Sequence, residues 1–179
     1  GKKITQRDME LLLTKTGTDM GNLRMEMEKL ISYTEGRDVV TAEDIEEICT
    51  TQTTNRIFDM VRAVTEKNQK RALELYYDLL TLKEPPMRIL FLLAKQYRQL
   101  LLAKQFAAAG LAQTEIASKL GVPGFVVRNI TTCARAYTIS ELEQAVKDFV
   151  DAEESVKTGR LEDKLSVELL IIKYSSKVK

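Results

Sequence analysis

Histidine is absent from this 179-residue chain, and with it the commonest general base and the commonest metal ligand. Any catalysis would have to run on carboxylates, lysines or thiols. Cysteine occurs only at Cys49 and Cys133, too rarely for a disulfide framework and without a CxxC spacing, so a structural zinc site fails on ligand count. A reducing compartment is the simplest inference. Long apolar runs are missing too: the most apolar stretch, ILFLLA (Ile89 to Ala94), is far shorter than the roughly 20 residues of a membrane span. The N-terminus carries no secretory apolar segment. Lys plus Arg total 27 against 26 Asp plus Glu, a net charge of +1, so no global field draws the chain to a polyanion. The chain has no phosphate-cradling GxxxxGK[ST] loop and no GxSxG turn, and HExxH is impossible without histidine.

What is present is the balance of a globular protein, with 44% hydrophobic and 30% charged residues. A chain of this length forms one large domain or two small ones and buries roughly 70% of its unfolded surface. It opens on GKKITQ without an initiator methionine, and those residues do not resemble the remnant of a targeting peptide. That predicts a fragment whose missing part carries the main activity.

The periodicity is helical almost throughout, and the fold class it predicts is all-α. Thr5 and Asp8 form an approximate capping box ahead of Met9, Leu12 and Leu13 on one face. A second helix runs from about Asp19 to Thr34, with Leu23, Met27, Leu30 and Ile31 at three- and four-residue spacing before Gly36 stops it. Thr41 and Asp44 in TAED cap a short third helix carrying Ile45 and Ile48. The polar run TTQTTN (Thr50 to Asn55) then breaks the pattern, dividing the chain into residues 1–50 and 51–179.

Helical patterns resume at about Asn55 to Thr65, Gln69 to Leu82 and Pro86 to Ala109, the last opening on a proline suited to a first helical turn. Leu90, Leu93, Tyr97, Leu100 and Leu101 define its main face, yet Phe91, Leu92, Leu102 and Phe106 lie on the other side. A helix apolar nearly all round must be covered nearly all round. Leu92, Leu102 and Phe106 are therefore candidate interface residues, unless the C-terminal helix covers them. Beyond it, Ser140 and Glu143 cap a helix with Leu142, Val146, Phe149, Val150 and Val156 on one face. The final helix, EDKLSVELLIIKY, has Leu165, Leu169 and Ile172 in register.

The stretch TEIASKLGVPGFVVRN (Thr114 to Asn129) has the spacing of a helix-turn-helix, with Ala117 packing the first helix, Gly121 making the turn, and Val127 and Ile130 pinning the second. A DNA reader needs exposed Arg, Lys, Asn or Gln at the start of that second helix. Gly124, Phe125 and Val126 stand there, leaving Arg128 and Asn129. The expectation is that Phe125, Val126 and Ile130 are buried; a helix-turn-helix regulator with an N-terminal dimerisation domain is the alternative reading. The carboxylate clusters EDIEE (Glu43 to Glu47) and DAEE (Asp151 to Glu154) read as solvated helix faces. The basic run KNQKR (Lys67 to Arg71) is a candidate phosphate contact through Lys67, Lys70 or Arg71, though without interleaved aromatics. Of Tyr76 and Tyr77, at least one is core by its spacing from Leu73 and Leu80.

GTDMGNLRMEMEKLISY (Gly17 to Tyr33) resembles the lid-domain helix of AAA+ clamp-loader proteins, its MEMEKL ending being similar to the delta subunits of bacterial DNA polymerase III. IFDMVRAV (Ile57 to Val64), KRALELYYDLL (Lys70 to Leu80), PMRILFLLAKQYRQLLLAK (Pro86 to Lys104) and EIASKLGVPGFVVRNITTCARAYTISELEQAV (Glu115 to Val146) follow the order and spacing of that family's C-terminal part. The resemblance covers essentially the whole chain and implies a small three-helix AAA+ lid followed by a helical-bundle collar. The family adds an N-terminal module, which makes the sliding-clamp contact and is not matched here. Through the collar, the resemblance implies contacts with the other clamp-loader subunits, delta prime and tau/gamma. It also implies that primed DNA is engaged by the full complex, in the bacterial cytoplasm and without a membrane. Catalytic AAA+ lids place an arginine after an acidic and an apolar residue to reach nucleotide phosphates. Here Gly21 follows Asp19 and Met20, and Arg24 points about 60° away in an ideal helix. The resemblance therefore implies a non-catalytic subunit holding no cofactor or metal, with DNA polymerase activity belonging to the parent holoenzyme.

Overall fold

Each helix of the N-terminal region starts where a short polar side chain can accept from the first turn. Thr5 Oγ1 accepts from the Asp8 amide at 3.1 Å and opens α1 (Gln6–Thr16). The Asp19 carboxylate accepts from the Asn22 amide at 2.9 Å and opens α2 (Met20–Tyr33). Thr41 and Asp44 cap each other's backbone at the start of α3 (Ala42–Ile48). The caps at Thr5 and Thr41 are those that the sequence predicts, and the second helix starts where its predicted beginning, about Asp19, supplies a cap as well. The computed structural model describes residues 1–17, 19–49 and 53–176, apart from the side chain of Thr54. The chain divides into two units, Gly1–Arg56 and Ile57–Lys179. The start of the polar run, residues 50–52, lies outside the described residues.

In the first unit, α1, α2 and α3 pack together around Leu12, Leu30, Val40, Ile45 and Cys49. A two-residue parallel ladder pairs β1 (Lys3–Ile4) with β2 (Val39–Val40). Two residues are too few to show an alternation, so the ladder leaves no signal in the sequence. Helix C-termini, with carbonyls the helix cannot satisfy, are closed by side chains from far along the chain. Lys15 Nζ donates to the carbonyls of Ile45 at 3.0 Å and Glu46 at 2.5 Å. Lys2 Nζ donates to those of Thr34 and Arg37, both at 2.6 Å. Asn55 Nδ2 donates to the carbonyl of Lys15 at 2.8 Å.

The inward row of α2 differs from the predicted one. Leu30 is buried and Leu23 half-buried, but Met27 and Ile31 are exposed; the row continues through Glu26 and Thr34 instead. Glu26 pairs with Lys29 at 2.7 Å. Burial first, and then the neighbouring Glu26 charge, push the Cys49 thiol up to about 11. Methionine and isoleucine gave the outward row the stronger apolar signal, while a paired carboxylate took the inward place.

The second unit contains α5 (Gln69–Thr81), α6 (Pro86–Ala108), α7 (Gln113–Leu120), α8 (Gly124–Ala134), α9 (Ile139–Lys157) and α10 (Asp163–Ser175), with α4 (Thr53–Thr65) running into it across the division. The architecture is all-helical apart from the short ladder of the first unit. Helix α6 is the hub, packed against α7, α8, α9 and α10. Its buried face carries Ile89, Leu90, Leu93, Gln96, Tyr97, Leu100 and Ala103. Tyr97 lies at the aromatic centre, its ring centroid 5.0 Å from Phe149, 5.6 Å from Tyr174 and 5.9 Å from Tyr137. Burial of a ring of this size stabilises the fold by ~2 to 3 kcal/mol.

Helix α9 starts two residues earlier than predicted. Thr138 and Glu141, not Ser140 and Glu143, form its capping box, with the Thr138 amide donating to Glu141 at 2.6 Å. Both pairs fit the S/T-x-x-E spacing, but the extended backbone that a cap requires falls at Thr138. The inward row is Leu142, Ala145 and Phe149; Val146 and Val156 are half-buried and Val150 is exposed. Among the described residues, no helix is long and apolar enough to cross a membrane.

Candidate functional site

Helix α10 is apolar on two faces. Ser166, Val167, Leu170, Ile171 and Ser175 are buried, whereas Leu165, Leu169 and Ile172 are 41%, 48% and 37% exposed. The row that sequence spacing singles out is thus the outer one. A helix dense in aliphatics presents two rows of similar strength, and only the packing partner selects between them.

The helix bearing this stripe is tied down at both ends. Near its start, the Tyr76 hydroxyl donates to the Lys164 carbonyl at 3.1 Å and the Tyr77 hydroxyl to Glu168 at 2.8 Å. Tyr76 is fully buried and Tyr77 half exposed, so this pair clasps α5 to α10. Near its end, Asp148 of α9 accepts a hydrogen bond from the Tyr174 hydroxyl and pairs with Lys173 Nζ at 2.6 Å. Burial works to raise the Asp148 pKa, but hydrogen bonds from Lys173, Tyr174 and Gln144 outweigh it and hold the carboxyl below its ordinary value. Lys67 Nζ donates to the Tyr174 carbonyl at 2.9 Å and lies 5.6 Å from the centre of the Tyr137 ring.

That placement changes the reading of the basic run. Lys67 is committed to the end of α10, and Arg71 pairs with Glu74 at 3.3 Å. Lys70 is exposed at the start of α5. The run is not a continuous cationic track.

The α6 candidates separate by geometry. Leu92, Leu102 and Phe106 are all half-buried; Leu92 and Phe106 pack on the unit's own core, and Lys119 Nζ lies 5.7 Å from the centre of the Phe106 ring. Leu102 instead continues the outward row of Phe91, Lys95 and Arg98, in which Phe91 is 62% exposed.

The helix-turn-helix spacing does form two packed helices. Helix α7 ends on Gly121 at φ 64°, in the left-handed region, and α8 buries Val127, Ile130, Cys133 and Ala134. Phe125 and Val126 are half-buried, not buried as expected: they lie on the first turn of α8, where Val126 still packs on the core, and full burial begins at Val127. Arg128 is exposed on the opposite face. Within EDIEE, Asp44 serves the fold, capping α3 and pairing with Arg37 at 2.7 Å. No group of three or more carboxylate or thiol side chains among the described residues could hold a metal ion.

The second unit is thus a helical bundle whose last helix is held at both ends and keeps an apolar row exposed. The solved structure of the Bacillus subtilis DNA clamp loader delta protein matches the chain with a TM-score of 0.87 at 26% sequence identity, covering 98% of this chain and 52% of that one. Residues 54–174 match the family described as DNA polymerase III delta subunit, C-terminal domain, and the chain belongs to that family. Among curated relatives, the DNA polymerase III subunit delta of Bacillus subtilis (strain 168) is 27% identical over 171 residues, 96% of this chain and 49% of the relative. The probable DNA polymerase III subunit delta of Aquifex aeolicus (strain VF5) is 23% identical over 123 residues, 68% of this chain and 35% of that one. The chain thus spans about half the length, or less, of the curated relatives it matches.

Proposed function

We propose that this chain works in DNA replication as a non-catalytic part of a clamp-loader delta subunit. In this reading residues 1–50 act as an AAA+-type lid and residues 51–179 as the collar that joins the other clamp-loader subunits, delta prime and tau/gamma. The sliding clamp is engaged through a module that this chain does not match, and primed DNA by the whole complex in the bacterial cytoplasm. ATP is bound and hydrolysed by neighbouring subunits. The observation that carries the reading is membership of the delta C-terminal family together with the exposed aliphatic stripe on α10. Apolar rows of this kind on a rigid helix suit a permanent protein neighbour.

Within this reading the collar interface is formed by Leu165, Leu169 and Ile172 on α10 and, of the α6 candidates, by Leu102 with Phe91 three turns away on the same outward row, while Leu92 and Phe106, which pack on the unit's own core, contribute only their half-exposed edges. Native mass spectrometry of the chain mixed with delta prime and tau/gamma subunits tests it. A stoichiometric complex is the expected result. No complex, with duplex DNA bound instead and a steep dependence on salt, would overturn it in favour of a DNA-binding regulator.

A further inference from the structure

Between α6, α7 and α8 lies a half-open concavity of about 400 Å³, within the size range of small-ligand sites. We propose that it binds a short acidic segment of a partner protein, a carboxylate flanked by aliphatic side chains, with Arg135 and Lys104 receiving the carboxylate. The assignment is independent of the collar reading, because the α10 stripe contributes nothing to this site.

Chemical complementarity carries the proposal. The walls are small and aliphatic, including Ala103, Ala107, Ile116 and Ala134, and the polar lining is Lys104, Gln113, Thr131 and Arg135. No carboxylate is among the lining residues. Of the acidic groups at neighbouring helix starts, Glu115 accepts from the Ala112 amide at 2.8 Å and Glu141 from the Thr138 amide at 2.6 Å, and Glu141 lies near enough to Lys104 for their charges to interact, so Arg135 is the principal cation open to an incoming carboxylate. Lys104 Nζ is anchored by donating to the Ala134 carbonyl at 2.9 Å, which leaves an ammonium two further donors. Arg135, exposed just beyond α8, has no acceptor among the described residues. Donors gathered at the rim of an aliphatic hollow suit a carboxylate attached to an apolar chain. A nucleic-acid strand would call for a row of cations with aromatic rings for the bases, and no aromatic side chain lines this hollow.

The test is a titration of the isotope-labelled chain, followed by amide chemical shifts, with the peptide acetyl-Val-Asp-Leu-Ala-amide, the same peptide with asparagine for aspartate, and single-stranded oligothymidylate. The expected result is saturable shifts at Gly110, Gln113, Ile116 and Thr131 with the aspartate peptide. They should weaken about tenfold in Arg135→Glu, as loss of a charge-assisted hydrogen bond requires. Retained dispersion of the other signals verifies that this exposed substitution leaves the fold intact. No saturable shift, equal shifts with the asparagine peptide, or the same shifts from oligothymidylate at lower concentration would each overturn the proposal.

Discussion

The hydroxyls of Tyr97 and Tyr137 lie 3.2 Å apart inside the second unit, forty residues apart in sequence, and neither ring is more than 5% exposed. Burial drives the Tyr97 hydroxyl far above its ordinary pKa, so both groups stay neutral and the pair is one hydrogen bond in an apolar setting. Tyr97→Phe should destabilise the protein by ~1 to 2 kcal/mol, because it leaves the Tyr137 hydroxyl buried and unpaired. Adding Tyr137→Phe should then cost much less than it does alone. Urea denaturation of the two single variants and the double variant measures this coupling, and strict additivity would refute it.

Acid should loosen the junction of α9 and α10. Asp148 has a depressed pKa in the folded chain, so unfolding takes up a proton as pH falls. Its contribution is complete above the ordinary aspartate value of about 3.9 and is lost as pH falls through the lower folded value. Thermal unfolding from pH 7 to pH 2 should therefore show a shallower acid limb for Asp148→Asn than for the native chain. Parallel curves would count against this role.

Lys67 and Lys70 sit three residues apart in the basic run but should behave differently. Lys67→Met removes the hydrogen bond to the Tyr174 carbonyl and the cation near the Tyr137 ring, at a cost of ~1 to 2 kcal/mol. The substitution keeps a side chain at φ 57°, so backbone strain does not change and the ammonium is isolated as the cause. Lys70→Met should change the melting temperature little. Similar losses from the two variants would refute the distinction.

Gly121 makes the turn between α7 and α8 at φ 64°, with no atom near the place a Cβ would occupy. Gly121→Ala should cost ~1 kcal/mol from backbone conformation alone, and Gly121→Asn less. Chemical denaturation gives the comparison; an alanine variant as stable as the native chain would argue that the turn is not held in this geometry.

On α10, Leu169→Glu should leave circular dichroism and melting nearly unchanged, since the side chain is half exposed, yet abolish association with clamp-loader partners. Leu170→Glu, one position along and buried, should unfold the second unit. Assembly of the Leu169→Glu chain at native stoichiometry would remove α10 from the proposed interface.

The helices were largely legible in the sequence because their starts are local. Thr5, Asp19 and Thr41 cap within three residues of themselves, Pro86 can occupy only a first turn, and Gly121 alone tolerates its φ cheaply. The resemblance carried by the stretches from Gly17 to Val146 led to the family that the comparisons establish.

Which face of a helix turns inward was another matter. On α2, Glu26 goes in while Met27 and Ile31 stay out; on α10, Leu165, Leu169 and Ile172 stay out while Val167, Leu170 and Ile171 go in. Local sequence determined where these helices begin and that they carry apolar rows, through capping and periodicity that act within one or two turns. Which row is covered, and which lysine closes which distant helix end, depends on partners tens of residues away, and only the tertiary structure decided it.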